Sequence, residues 1–257
     1  MVDFLGALIL GVVQGITEWL PVSSSGHLVL FQQFFGLEAS VAFDLMLHFS
    51  TLLAVLFVFR RETWSVFNAV VRGRFKTAEG RMGILIIIAT VCSLPVALLL
   101  EQYVNFMFAS TMVVGAGLLV TGFIVYSTRL ERPKSVLDGR KAAFVGLAQG
   151  VAVVPGISRS GSTISAALAT GIDRDKAIRF SFLLSIPAIA GATLYALKDA
   201  ASFTAEPLPL VAGMLVSFIV GIISLRWLVG LIKRKRFWIF SIYCWIVGAA
   251  VLTLSFA

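Results

Sequence analysis

The sequence predicts an all-α integral membrane protein with six transmembrane helices plus two re-entrant helical hairpins in an inverted-topology repeat. Three observations predict it. First, the chain is 59% hydrophobic and only 13% charged, where a soluble domain carries about 25% charged residues. Second, its apolar stretches are long and lack the dyad alternation of a membrane barrel, so they read as helices. Third, two apolar segments far apart in the chain are interrupted by polar motifs of the same grammar.

Taken in order, 3–36 is apolar but broken by Pro21, the serines Ser23 to Ser25 and Gly26. Each half is about fifteen residues, short of the roughly 20 that a bilayer core requires. Irregular backbone at membrane depth is tolerated only where protein or a wet cavity satisfies it. Two half-helices meeting at a Pro/Ser/Gly turn therefore describe a hairpin rather than one kinked span. Spans follow at 41–59, 82–100 and 111–127. A second broken segment, 142–170, is interrupted from Pro155 to Gly161, and spans follow it at 177–197, 208–232 and 237–257. The single membrane domain, 1–257, thus divides into halves 1–128 and 142–257.

Loop charge orients these elements. Basic residues gather at 60–81 (Arg60, Arg61, Arg72, Arg74, Lys76, Arg81), 128–141 (Arg129, Arg132, Lys134, Arg140, Lys141), 171–179 and 233–236. Positive-inside topology puts these loops in the cytoplasm and the stretches near 37–40, 101–110 and 198–207 outside. Three spans per half is an odd number, so the second half enters upside down. The same clustering explains the net charge of +8 without a nucleic-acid partner. Cys92 and Cys244 each lie in an apolar span and read as packing residues. The start, Met1-Val2-Asp3-Phe4, lacks the basic region of a signal peptide, so the whole chain is treated as mature.

The two motifs are Gln14-Gly15-Ile16-Thr17-Glu18-Trp19-Leu20-Pro21-Val22-Ser23-Ser24-Ser25-Gly26-His27 and Gln149-Gly150-Val151-Ala152-Val153-Val154-Pro155-Gly156-Ile157-Ser158-Arg159-Ser160-Gly161-Ser162-Thr163. Each has Gly-x-x-Gln-Gly, a short run, Pro, and hydroxyls closing on Gly; Gln14 to Gly26 spans the same distance as Gln149 to Gly161. One copy carries Glu18 and His27, the other Arg159. A guanidinium at membrane depth requires an anion, which is either a substrate or Glu18 in a structural ion pair. Ser158, Ser160, Ser162 and Thr163, with Gly156 and Gly161, would bring hydroxyls and N–H groups to phosphate oxygens. Gln14 and Glu18 share a helix face and could hold a metal with bound waters, orient a water or exchange protons. Ser24 or His27 could attack phosphorus while the other moves a proton; a satisfied helix start is the structural alternative. Asp44 and His48, one helical turn apart, suit an outlying supporting role or a structural hydrogen bond.

These paired motifs resemble the bacitracin-resistance family of undecaprenyl-diphosphate phosphatases. The resemblance rests on Gln14 to Glu18, on Pro21 to His27 and on Pro155 to Thr163, and with length and span pattern it covers the whole chain. It implies a bacterial plasma-membrane hydrolase that removes the terminal phosphate of a C55 isoprenyl diphosphate, recycling the lipid carrier of cell-wall synthesis and conferring bacitracin resistance. The family's acidic motif falls on Gln14 and Glu18, its serine and histidine on Ser24 and His27, and its phosphate-binding arginine on Arg159, with Ser158 and Thr163 beside it. The expected catalytic set is Glu18, Ser24, His27 and Arg159. The expected substrate contacts are Gln14, Ser23, Ser25, Gly156, Ser158, Ser160, Gly161 and Thr163. Many members have Glu where this chain has Gln14, which leaves Glu18 alone to hold a divalent cation (Mg or Ca); none is obligatory. The expected partners are the lipid diphosphate and membrane lipids, with a homodimer left open and a pocket facing the outer, periplasmic side. A lipid flippase or transporter, using the cluster only to bind cargo, is the competing reading.

Overall fold

Short polar caps and breaks divide an almost continuously apolar chain into helices. The computed structural model describes residues 2–130, 134–196 and 206–256, and these hold twelve α-helices and no strand beyond one isolated bridge, Ser135 to Ile172. Arg132, Leu197 and most of the connection 198–207 lie outside the described residues.

The first broken segment forms α1 (Phe4–Thr17) and α2 (Ser24–Phe35); the second forms α8 (Gly139–Val151) and α9 (Arg159–Ala169). Asp3 caps α1 by accepting from Gly6 N at 2.7 Å, and Asp138 caps α8 by accepting from Lys141 N at 2.9 Å. Between the broken segments lie α3 (Val41–Val58), α4 (Arg60–Val71), α5 (Ala78–Glu101), the short α6 (Val104–Ala109) and α7 (Thr111–Tyr126). After them come α10 (Arg174–Ala196), α11 (Pro207–Lys233) and α12 (Phe240–Ser255). Among the described residues five segments are long and apolar enough to cross a membrane, and six if α3 and α4 count as one bent pair. This is a multi-pass membrane protein.

Two stretches read as loops are helical. Residues 60–71 form α4, bent by 86° from α3, and residues 104–109 form α6. In α4, Trp64, Phe67 and Val71 recur at helical spacing between charged residues, a pattern that winds a helix with one apolar stripe. The span expected at 41–59 is α3, whose 18 residues reach about 27 Å, just under a bilayer core.

Packing pairs come in mates when the two halves are exchanged. α1 packs on α11 as α8 packs on α5; α3 packs on α11 as α10 packs on α5; α3 meets α10, and α7 meets α12. The Gly-x-x-Gln-Gly stretches, which lie within α1 and α8, explain the first pair. A Cβ on Gly15 would lie 2.8 Å from Val220 Cβ and 2.9 Å from Ser217 O of α11, and one on Gly150 would lie 2.7 Å from Ser93 O of α5. Only glycine admits that approach, which is how helices associate where lipid removes most of the hydrophobic driving force. Under the first break sits a core of Trp19, Leu20 and Val22 with Phe182, Leu225, Leu228 and Phe237. Trp19 meets Phe182 edge-on, ring centroids 5.6 Å apart.

Candidate active site

The two broken segments bring their turns into contact. α1 ends on Glu18, and Ser23 caps α2 with φ of 68°, a left-handed conformation uncommon for serine. The surroundings over-determine it. Its hydroxyl accepts from Gly26 N at 3.3 Å and, across the interface, from Gly156 N at 3.0 Å. The second turn uses Gly156 at φ of 91°, where glycine has no Cβ to strain. Ser158 then caps α9, accepting from Gly161 N at 3.0 Å, so Arg159 is the first residue of the helix. Thr121 of α7 pins this turn, donating to Gly156 O at 2.7 Å and accepting from Ser158 N at 3.0 Å. Ser160 donates to Leu20 O at 3.2 Å, and a Cβ on Gly26 would lie 3.0 Å from Gly156 N.

Glu18 is the hub of the polar cluster. Arg159 Nη2 donates to its Oε1 in an ion pair, while Ser24 Oγ donates to Oε2 at 2.7 Å and Gln14 Nε2 at 3.0 Å. Gln14 Nε2 also reaches Thr51 Oγ1 at 3.4 Å. The Arg159 guanidinium lies 5.5 Å from the Trp19 ring centroid, a cation–π position. The Glu18 side chain is 4% exposed, Arg159 15% and His48 23%, so the carboxylate lies deep and the guanidinium and imidazole border the open side with half-buried Ser24. Arg159 Nη1 is buried with no hydrogen-bond partner among the described residues.

The structure joins Gln14, Glu18, Ser24 and Arg159 in one hydrogen-bonded set. It does not join His27 to them. His27 Nδ1 is 2.8 Å from Ser23 O and Nε2 is 2.7 Å from Tyr243 OH of α12, on which the ring stacks. The imidazole beside Ser24 is His48 of α3, whose Nε2 lies 3.5 Å from both Ser24 Oγ and Glu18 Oε2. Ser23, Gly156 and Ser160 tie turn to turn, while Ser158 and Gly161 bond to each other within the second turn; Thr163 donates to Arg159 O at 2.9 Å and meets Ser181 Oγ at 2.5 Å. Ser25 is half-buried, 3.3 Å from Ser23 Oγ. Thr121 and Tyr243 escaped the sequence reading because one hydroxyl in an apolar helix carries no distinguishing signal. His48 had one, as one of only two histidines in the chain.

The residues present do not fit a resident divalent cation. Among the described residues no group of three or more His, Cys, Asp or Glu side chains could hold a metal. Glu18 is a single carboxylate already facing a guanidinium, and Gln14 turns its amide nitrogen toward it.

The family model described as "Bacitracin resistance protein BacA" matches residues 7–250. An undecaprenyl-diphosphatase of Korarchaeum cryptofilum is 46% identical, over 96% of this chain and 98% of its own length. An undecaprenyl-diphosphatase of Desulforapulum autotrophicum is 42% identical over 97% of each chain, and one of Methanobrevibacter smithii is 42% identical over 97% of this chain and 96% of its own. With a match of that extent over both polar turns, the chain belongs to the BacA bacitracin resistance protein family.

Proposed function

We propose that this protein is an undecaprenyl-diphosphate phosphatase, hydrolysing a C55 isoprenyl diphosphate to the monophosphate and inorganic phosphate and so recycling the carrier of cell-wall synthesis. The single observation that carries it is Arg159: a guanidinium with Nη2 held by Glu18 and Nη1 buried without a partner among the described residues, beside a serine hydroxyl already donated to the same carboxylate. An unpaired buried donor is unfavourable until an anion satisfies it, and a phosphate oxygen has the matching geometry.

In this reading Nη1 and the positive end of α9 bind the terminal phosphate and stabilise the charge on its oxygens during transfer. Ser25 lines the same opening. Ser24 Oγ, oriented by Glu18, attacks the terminal phosphorus; the new O–P bond forms as the bridging P–O bond breaks and the lipid monophosphate leaves. Water then releases phosphate from the serine. His27, with both ring nitrogens engaged, holds α2 against α12 rather than meeting substrate. No step is routed through a metal.

The architecture that fits is six spans and two re-entrant hairpins in an inverted repeat. The mated packing pairs and the shortness of α1, α2, α8 and α9 support it. The pocket opens to the outer face of a bacterial plasma membrane, the tail lying between spans.

The test is phosphate release from C55 isoprenyl diphosphate by detergent-purified protein, with and without chelator. Wild type releases phosphate, and Arg159→Ala and Glu18→Gln each lose it. Removing one partner of a buried pair destabilises by about 3–5 kcal/mol, so each variant is melted alongside and Arg159→Lys is included. No release from folded wild type that still binds the lipid would favour a transporter.

A further inference from the structure

We propose that His48 is the proton acceptor for Ser24, taking the hydroxyl proton on Nε2 as Oγ attacks phosphorus. The inference rests on the phosphatase reading and goes beyond it by assigning the base to a side chain outside both polar motifs.

The tautomer follows from the neighbours. His48 Nδ1 lies 2.9 Å from the backbone oxygen of Asp44, one turn back on α3. A carbonyl only accepts, so Nδ1 carries the hydrogen and the neutral ring presents a lone pair at Nε2. That nitrogen is 3.5 Å from Ser24 Oγ. Catalytic hydrogen bonds without substrate are often this long and tighten when the complex forms. Thr51 Oγ1 donates to the backbone oxygen of His48 at 2.8 Å. Gln32 of α2 donates to both carboxylate oxygens of Asp44 at 2.9 Å, fastening α3 beside the turn that carries Ser24.

Glu18 is a poorer destination for the proton. It accepts from Arg159, Ser24 and Gln14, but taking the proton would dissolve its pairing with the guanidinium that binds phosphate, so the Ser24 hydroxyl hydrogen turns from Oε2 to Nε2 for the attack. Its better use is electrostatic. With Oε2 3.5 Å from Nε2, it stabilises the imidazolium as that cation forms. His27 cannot serve, because its two ring nitrogens are committed to Ser23 O and Tyr243 OH. The charged groups around the His48 ring are Glu18 at the end of α1, Arg159 beyond it on α9 and Asp44 on its own helix. From α10 and α11, also packed on α3, no hydrogen bond or ion pair among the described residues reaches the ring.

The step balances. The proton leaves Oγ for Nε2, the Oγ–P bond forms, the bridging P–O bond breaks, and its electron pair departs on the lipid monophosphate. The imidazolium then gives its proton to solvent. The neutral ring takes one from the water that attacks the phosphoserine, and Ser24 recovers that proton as the Oγ–P bond breaks.

The experiment measures kcat and KM of wild type, His48→Ala, His48→Gln and Ser24→Ala across the neutral pH range, with melting curves and added imidazole. General-base catalysis contributes about 10²–10⁴-fold. His48→Ala is expected to lose about that factor in kcat with KM within about threefold, to lose the acid-side limb of the wild-type pH profile, and to recover part of the rate with imidazole. His48→Gln, similar in size, carries the same comparison if the alanine variant does not fold. A wild-type kcat in a folded His48 variant overturns the proposal. So does a reduced kcat that keeps the wild-type pH limb and ignores imidazole. If wild type releases no phosphate, the phosphatase reading fails; if wild type is active, Ser24→Ala is dead and His48→Ala is unimpaired, only this inference fails.

Discussion

Gln14 decides what kind of site this is, because the atom it turns toward Glu18 is a donor. Its Nε2 sits 3.0 Å from the carboxylate while its Oε1 is buried without a partner among the described residues. Gln14→Glu would place two carboxylates against one guanidinium, and close like charges cannot both ionise without a further cation. That variant is expected to gain a rise in Tm with millimolar Mg or Ca that wild type lacks, read by thermal unfolding with and without chelator. Equal responses would show that Gln14 does not set the cation requirement. Much of this cluster was legible in the sequence, since a carboxylate, an arginine and a run of serines stand out in apolar surroundings where burial is costly. Which histidine meets Ser24 was not. His27 is three residues from Ser24 and His48 is a helix away, but the left-handed turn at Ser23 starts α2 so that His27 points to Tyr243. Spacing along a chain says nothing of a side chain arriving from another element.

At the scale of elements, α1 and α8 act as short levers seated on long spans by glycine. Gly15 lies one turn from Glu18, on the face that touches Ser217 and Val220. Gly15→Ala forces α1 off α11, and overpacking of this kind costs typically about 1–3 kcal/mol. It should also lower kcat, because Glu18 moves with the helix. Melting curves beside turnover check this, and a variant matching wild type in both would show that the contact does not position the carboxylate. α4 was hidden by its own charges. Arg60, Arg61 and Arg72 read as a loop that sets topology, although Trp64, Phe67 and Val71 keep helical spacing and are 66%, 57% and 67% exposed. A helix at 86° to a neighbouring span, apolar on one stripe and basic at its ends, suits the plane of the membrane interface. Its Trp64 is therefore expected to be quenched by lipids brominated near the headgroup, measured as the difference between wild type and Trp64→Phe. No difference would lift α4 out of the bilayer.

For the whole molecule, the two charges of the buried ion pair come one from each half: Glu18 follows α1 and Arg159 opens α9. Neither half alone holds both the carboxylate and the guanidinium, so the two turns must meet for the ion pair to form. The sequence signals through the equal spacing of the motifs that the two turns are a related pair, and through the odd number of spans between them it predicts entry from opposite sides. It could not show the contacts themselves, such as Ser23 with Gly156 or Ser160 with Leu20, because short-range patterns do not encode which turns meet. If the halves are inverted, equivalent points after the two broken segments face opposite sides of the membrane. Phe35, ending α2, should then lie outside with Tyr103, whereas Asp173, following α9, should lie inside with Arg74. Single cysteines at these four exposed positions, in a background lacking Cys92 and Cys244, would be probed in intact cells with an impermeant maleimide. Labelling of Phe35→Cys and Tyr103→Cys alone, with Arg74→Cys and Asp173→Cys reacting only after permeabilisation, is the inverted outcome. Labelling of Phe35→Cys and Asp173→Cys from the same side would mean parallel halves. A common level for Glu18 and Arg159 would then have to arise without the pseudo-two-fold.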